Sequence, residues 1–416
     1  MNYKAIAVVI LCIVYLYNLL LDMIRLRSDR NPIPRNVADV YDEATYLRWK
    51  AYHGEKTNWK TVTAAVGFVI DLALLVANAY AAFARSGLFA EDPFAQGIAV
   101  LVLSAIANLV TVPFDYHDTM VIEEKYGFNR TGKKTFWGDQ LKQFIIGLGL
   151  LCGVCCLVAW AHGALGDWLI LALAVILTLF ALFFSFLYPF FSKLFNKFTP
   201  LPDGELKEKL TAMLEKNGYK VRAIQVMDAS RRSTKSNAYF TGFGKMKTIV
   251  LYDTLVAAMT TDEILAVFAH EMGHGLHKDT LKNQIMVFAQ MLLLAVLAWA
   301  TLRCPAIFQS FGFTEVNYGF AILLITSVEF ALVSPLCAMV MNWFSRRAEY
   351  RADAQAVREG YGTALVSALK KLCRENFSDL SPSPLLVALE YSHPTLSQRV
   401  AAIEGMKEFR NEGMKK

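Results

Sequence analysis

Apolar residues fall in long runs over much of the chain, and the runs are of bilayer-spanning length. Seven are bounded by polar stretches, at about 4–22, 62–84, 96–114, 143–160, 168–190, 283–302 and 318–341. Roughly 20 consecutive apolar residues make a helix as long as a bilayer's hydrocarbon core is thick, so each run predicts a transmembrane helix. The two largest polar regions are 191–282 and 342–416. In the first, Leu206, Leu210, Met213 and Leu214 recur at helical spacing and predict a helix from about Gly204 to Glu215. Residues 219–226 roughly alternate and 247–251 form a β-branched run, so both predict strands. Between them Gly242 and Gly244 suit a turn, and a small antiparallel sheet with an exposed edge is expected. Thr260 with Glu263 three residues on is a capping-box pair, starting a helix expected to run past Lys278 toward the sixth apolar run.

The expected architecture is an all-α multispanning membrane protein with seven transmembrane helices and an additional α+β portion. Residues 1–190 carry spans one to five, 191–282 the mixed α+β portion, 283–341 spans six and seven, and 342–416 a C-terminal polar portion. Composition agrees: 55% of residues are apolar and only 19% charged. The first span has no small-residue cleavage site and most of its basic flank follows it, so a retained anchor is expected rather than a signal peptide.

Charge adds an orientation. Lys and Arg crowd the connections after the first and third spans, including Arg25, Arg27, Arg30, Lys125, Lys133 and Lys134. The connections after the second, fourth and sixth spans offer Arg85, none, and Arg303. The positive-inside rule then puts the N-terminus outside the cytoplasm or in a lumen, with both polar portions and the C-terminus cytoplasmic. The host membrane is expected to be endoplasmic reticulum or bacterial inner membrane. The net charge of +6 forms no compact basic stripe with interleaved aromatics, which excludes nucleic acid as the expected partner. Seven cysteines lie mostly in or beside apolar runs without paired CxxC motifs, so small buried hydrophobes are expected rather than disulfides.

The chemistry concentrates at His270-Glu271-Met272-Gly273-His274. Histidines four apart share one helix face and converge on one ion, while the carboxylate between them is placed to accept a proton from an activated water. A hydrolytic zinc site takes three protein ligands and keeps one position open. His277 is poorly placed to be the third, three residues beyond His274 on the same helix, and the metzincin spacing is absent. Just after the seventh run, Glu349 and Asp353 share a helix face. Glu349 can ligate, and Asp353 can accept a hydrogen bond from a ligand histidine; a solvated acidic pair balanced by Arg346, Arg347 and Arg351 is the alternative. His393, in Ser392-His393-Pro394, and Arg399 can offer donors to an oxyanion. Together these residues point to a membrane-embedded zinc metalloendopeptidase with a zincin-like catalytic portion.

With these motifs assembled, the sequence resembles the type I CAAX prenyl endopeptidases over nearly its whole length. The likeness rests on Pro113-Phe114, residues 122–129 (IEEKYGFN), 195–198 (FNKF), 200–204 (PLPDG), 236–242 (SNAYFTG), the His270 motif, Glu349 to Asp353, Ser392-His393-Pro394 and Arg399. The resemblance implies zinc ligation by His270, His274 and Glu349, base work by Glu271 and support of a ligand by Asp353. It gives His393 and Arg399 transition-state or substrate-carboxylate roles. It also implies that Asn237, Ala238 and Tyr239 hold peptide backbone, and that the helices enclose an intramembrane chamber. The implied partners are the bilayer and a prenylated CAAX peptide, which loses its last three residues. The alternatives are a quality-control metalloprotease acting on non-prenylated membrane polypeptides, and a non-enzymatic transporter or scaffold.

Overall fold

The computed structural model describes residues 2–86, 92–165, 168–235, 237–241 and 246–413. The expected turn glycines Gly242 and Gly244, and Ser236, lie outside the described residues.

The N-terminal half is helical. It comprises α1 (Tyr3–Ser28), α2 (Glu43–Val76), α3 (Ala79–Ala84), α4 (Pro93–Leu109), α5 (Val112–His117), a π-helical turn at Asp118–Glu123, α6 (Lys133–Leu165) and α7 (Leu169–Phe195). Caps fix several starts: Asp42 and Asp92 accept the backbone N–H of Thr45 and Ala95, each satisfying an orphan donor of a first turn. The second and third spans are interrupted. Asn78 adopts a left-handed φ of 54° and separates α2 from α3, while Val110 and Thr111 separate α4 from α5.

The mixed portion begins with β1 (Phe198–Pro200), α8 (Glu205–Lys216), β2 (Lys220–Met227), β3 (Ala238–Thr241) and β4 (Met246–Tyr252). These strands form one four-stranded sheet in the order β1-β2-β4-β3. The sheet is not purely antiparallel as expected, because β2 and β4 are parallel neighbours. The reason is the unforeseen strand β3: it pairs antiparallel with β4 and takes the outer place, so β4 runs in the direction of β2. The sheet therefore ends in a short edge strand, β3.

The chain continues as α9 (Asp253–Ala258), α10 (Thr261–Leu276), α11 (Asp279–Leu302), α12 (Pro305–Ser310), α13 (Tyr318–Leu324), a π-helical turn at Ile325–Glu329, α14 (Phe330–Arg358), α15 (Gly362–Glu375), α16 (Pro384–Leu389) and α17 (Leu396–Gly413). The capping box at α10 is present, and the Glu263 carboxylate also receives Ser367 Oγ at 2.6 Å and Lys371 Nζ at 2.7 Å. The expectation that α10 runs on past Lys278 is overturned: it ends at Leu276, and Lys278 turns the chain in the left-handed region at φ 54°.

Two cores result. Leu210, Leu214, Ile249, Leu265, Phe268 and Leu365 join α8, the sheet, α10 and α15. A second cluster, including Leu11, Leu75, Val100, Leu173, Leu302 and Phe320, joins the membrane helices. Among the described residues six helical stretches are long and apolar enough to cross a bilayer: Tyr3–Ser28, Glu43–Val76, Phe94–Glu123, Lys133–Leu165, Asp279–Leu302 and Tyr318–Arg358. Their outward faces expose Leu16, Val69, Ile145, Ile285 and Leu336, which suits hydrocarbon rather than water. The protein is a multi-pass integral membrane protein.

Candidate active site

The site lies where α10 crosses α14. Gly273 lets them approach: a Cβ there would come within 2.8 Å of the Ala352 Cα. This contact brings residues far apart in sequence together. One ligand-capable atom from each of His270, His274 and Glu349 falls within 4.8 Å of the others. The Glu349 carboxylate stands 3.4 Å from His270 Nε2 and 3.3 Å from His274 Nε2, and the two rings are perpendicular with centroids 4.9 Å apart.

The outer nitrogens of both histidines face carboxylates. His270 Nδ1 is 2.9 Å from Asp353 Oδ1, and His274 Nδ1 is 3.2 Å from Asp279 Oδ2. A carboxylate can only accept, so each Nδ1 is placed to donate to its aspartate, which would leave each Nε2 to give its lone pair to an ion held between the histidines and Glu349. Asp353 is fully buried and held by Arg399, whose Nε and Nη2 donate to its two oxygens at 3.0 and 2.6 Å. Burial lowers the affinity of His270 for a proton, but Asp353 and Glu349 outweigh this and hold its pKa at about 9 in the metal-free protein.

These residues fit a zinc ion. Two inward nitrogens and a carboxylate are the donor set of a hydrolytic zinc site, with aspartates orienting both imidazoles. Moreover, Glu349 Oε2 is buried and finds no hydrogen-bond partner among the described residues, although Arg399 Nη1 approaches it to 3.3 Å. A bound cation would satisfy it. His277 stays outside the cluster, with its buried Nε2 lacking a partner among the described residues.

A cleft of about 630 Å³ opens over the cluster, with Glu271, His393, Asn237 and Ala238 in its walls. His393 is exposed, with Nε2 3.3 Å from Glu349 Oε1 and Nδ1 2.9 Å from Ser392 Oγ. Its loop is pinned by Arg346, which donates to the carbonyls of Val387 and Tyr391 at 2.9 and 2.6 Å, and by the Arg25–Glu390 ion pair at 2.6 Å. Arg399, expected beside an oxyanion or substrate carboxylate, is buried in the cleft wall with its guanidinium forked onto Asp353. Side chains alternate along a strand, so Ala238 faces the α10 core while Tyr239 packs toward Met227 and Val250 on the other face. Only the backbone of Tyr239 is thus offered to the edge. Asp279, Arg346 and Arg25 were not foreseen from sequence; Asp279 becomes a partner of His274 only because Lys278 breaks the helix.

A metal-binding triad with an adjacent glutamate, at the end of a bundle of membrane helices, defines a membrane-embedded zinc metalloendopeptidase. The comparisons narrow that class. Residues 22–197 match the family described as CAAX prenyl protease N-terminal, five membrane helices, and residues 200–407 match peptidase family M48. A CAAX prenyl protease 1 homolog of Arabidopsis thaliana is 32% identical, with 94% of this chain and 95% of that protein covered. CAAX prenyl protease 1 of Saccharomyces cerevisiae is 35% identical over 76% of this chain and 73% of its own. The crystal structure of S. mikatae Ste24p superposes with a TM-score of 0.86 at 28% identity, covering 97% of this chain and 99% of that one. The chain belongs to the CAAX prenyl protease family of M48 zinc endopeptidases.

Proposed function

We propose that the chain removes the last three residues from prenylated CAAX polypeptides, with His270, His274 and Glu349 holding the zinc ion. The observation that carries this reading is the convergence of three inward donors, two of them oriented by carboxylates, beside Glu271 in an open cleft. When bound, zinc polarises the scissile carbonyl and acidifies an attacking water. Glu271 takes the proton from that water and returns it to the leaving amine. Asp353 and Asp279 fix the histidine tautomers, and Arg399 holds Asp353. His393, exposed at the cleft, donates to the oxyanion or to the substrate carboxylate. The peptide extends along β3, its backbone pairing with the edge at Asn237, Ala238 and Tyr239.

The membrane portion forms seven spans around a chamber that receives the prenyl chain. The 27-residue helix α7 supports the seventh, at about 1.5 Å rise per residue long enough to cross hydrocarbon. The Lys and Arg distribution supports an extracytoplasmic or lumenal N-terminus and a cytoplasmic C-terminus, and the alternation of apolar runs with polar stretches supports the fourfold partition at 190, 282 and 341.

The test is cleavage of a farnesylated CAAX peptide and its unprenylated twin by the parent and by Glu271→Gln, with zinc counted in both proteins. The parent is expected to release the terminal tripeptide and prefer the farnesylated peptide, and Glu271→Gln to keep zinc but lose turnover. Equal rates on both peptides would overturn the substrate reading, and an active Glu271→Gln would overturn the assignment of the base.

A further inference from the structure

The segment 122–129 contributes no group to the triad, yet it reaches both rims of the catalytic cleft. On one side it grips the chain leading into β3. Asn129 forms a β-bridge with Ser233, Thr234 N–H donates to the Phe128 carbonyl at 3.2 Å, and Arg130 N–H donates to the Arg232 carbonyl at 3.0 Å. Lys235 then reaches down to the end of the membrane helix α2, donating to Tyr52 Oη at 3.2 Å and pairing with Glu123 at 3.4 Å. Glu123 is the hub of this contact, because the same oxygen receives Tyr52 Oη at 2.7 Å and Lys56 Nζ at 2.9 Å.

On the other side it grips the loop after α15. Phe377 packs edge-on against Phe128, with centroids 4.9 Å apart, and against Tyr52 at 5.8 Å. Trp49 Nε1 donates to the Phe377 carbonyl at 3.0 Å. Phe377 holds a left-handed φ of 48°, and its neighbours Asn376 and Ser378 both line the cleft. A non-glycine residue keeps that conformation only when its surroundings over-determine it.

We propose that Glu123, with Tyr52 and the 126–130 turn, clamps both rims of the cleft to the end of α2, making Glu123 and Lys235 positioning residues for peptide binding. The geometry is direct: without the Glu123 carboxylate, Lys235 loses its counter-charge and its ammonium is left on the Tyr52 hydroxyl and the Tyr52 and Phe128 ring faces, so the tie from the strand entering β3 to α2 is weakened. The rims then sample open positions more often, which weakens association with an extended peptide while leaving the metal triad intact. The proposal rests on the peptide lying along β3, as proposed above.

Lys235→Met and Glu123→Gln, in full-length zinc-loaded protein in detergent, test it, with Lys235→Arg as the conservative control. Amide hydrogen exchange over residues 238–241 without substrate reads the clamp alone, and is expected to be about tenfold faster in the first two variants and parental in Lys235→Arg. On the cleaved peptide, KM should rise about three- to tenfold with kcat within about twofold and zinc content unchanged. Unchanged exchange over 238–241, or loss of zinc in step with faster exchange, would overturn the clamp. Faster exchange with a parental KM would instead overturn the reading of β3 as the peptide's strand.

Discussion

Replacing Gly273 by alanine perturbs the site without touching a ligand. The added Cβ would sit 2.8 Å from the Ala352 Cα, 3.1 Å from the Gln355 Cβ and 3.3 Å from the Ala352 Cβ. Non-bonded carbons settle at about 3.5–4.0 Å, so α10 and α14 must separate locally by roughly 0.7–1.2 Å. The first obstacle is backbone and cannot rotate aside. Overpacking of this kind costs about 1–3 kcal/mol. The consequence for chemistry is larger, because α10 carries both histidines and α14 carries Glu349. Metal–ligand distances tolerate only about 0.2 Å, so the separation draws the carboxylate out of bonding range. We expect zinc affinity to fall about ten- to a hundredfold, the range seen when supports of metal ligands are removed. Chelator competition measures it, and thermal unfolding of the zinc-free protein measures the packing cost. Gly405→Ala is the control: nothing lies within 4 Å of its added Cβ, so it should stabilise α17 by about 0.5–1 kcal/mol and leave zinc unchanged. Parental zinc affinity in Gly273→Ala would refute the claim that this helix contact sets the ligand geometry.

The two carboxylates behind the histidines should behave differently. Asp279→Asn, at a partly exposed position, should weaken zinc about tenfold with little change in the unfolding temperature of the zinc-free protein. Asp353→Asn should lower both, because it strands the buried Arg399 guanidinium, a loss of about 3–5 kcal/mol; equal behaviour of the two variants in both assays would contradict this. Burial alone would raise the Glu263 pKa, but Lys371, Ser367 and the Thr260 N–H hold it at about 2, below the usual 4.5. A depressed carboxylate contributes stability that is complete above the unfolded pKa and is lost as pH falls from about 5 toward 2. Glu263→Gln should therefore cost about 1–2 kcal/mol at pH 7, and the gap from the parent should close near pH 2–3 in zinc-free unfolding curves; a pH-independent gap would exclude the ion pair as its cause.

Most of the architecture was legible because membrane helices advertise themselves through length and apolarity, and because Thr260 and Glu263 mark the start of α10 without tertiary help. The triad was legible for a different reason: His270 and His274 share a helix face, and Glu349 and Asp353 share another. Asp279 was not. On a continuous helix it would point about 140° away from His274, at roughly 100° per residue. The left-handed turn at Lys278 brings it back, and no propensity signals such a turn at a lysine. The parallel pairing of β2 and β4 was hidden likewise, since β3 is only four residues long and its placement at the outer edge is a tertiary outcome. The commitment of Arg399 to Asp353 depends on how α17 docks, which local sequence does not encode.

The proposed ligand set is one glutamate and two histidines, with no other side chain on the catalytic ion. X-ray absorption at the zinc edge of the purified protein tests it directly. Light-atom ligands only are expected, at about 2.0–2.2 Å, with outer-shell scattering from two imidazoles, and tight zinc should be lost in Glu349→Ala. Scattering from a third imidazole, which would bring in His277 or His393, or a sulfur ligand at about 2.3 Å would contradict it.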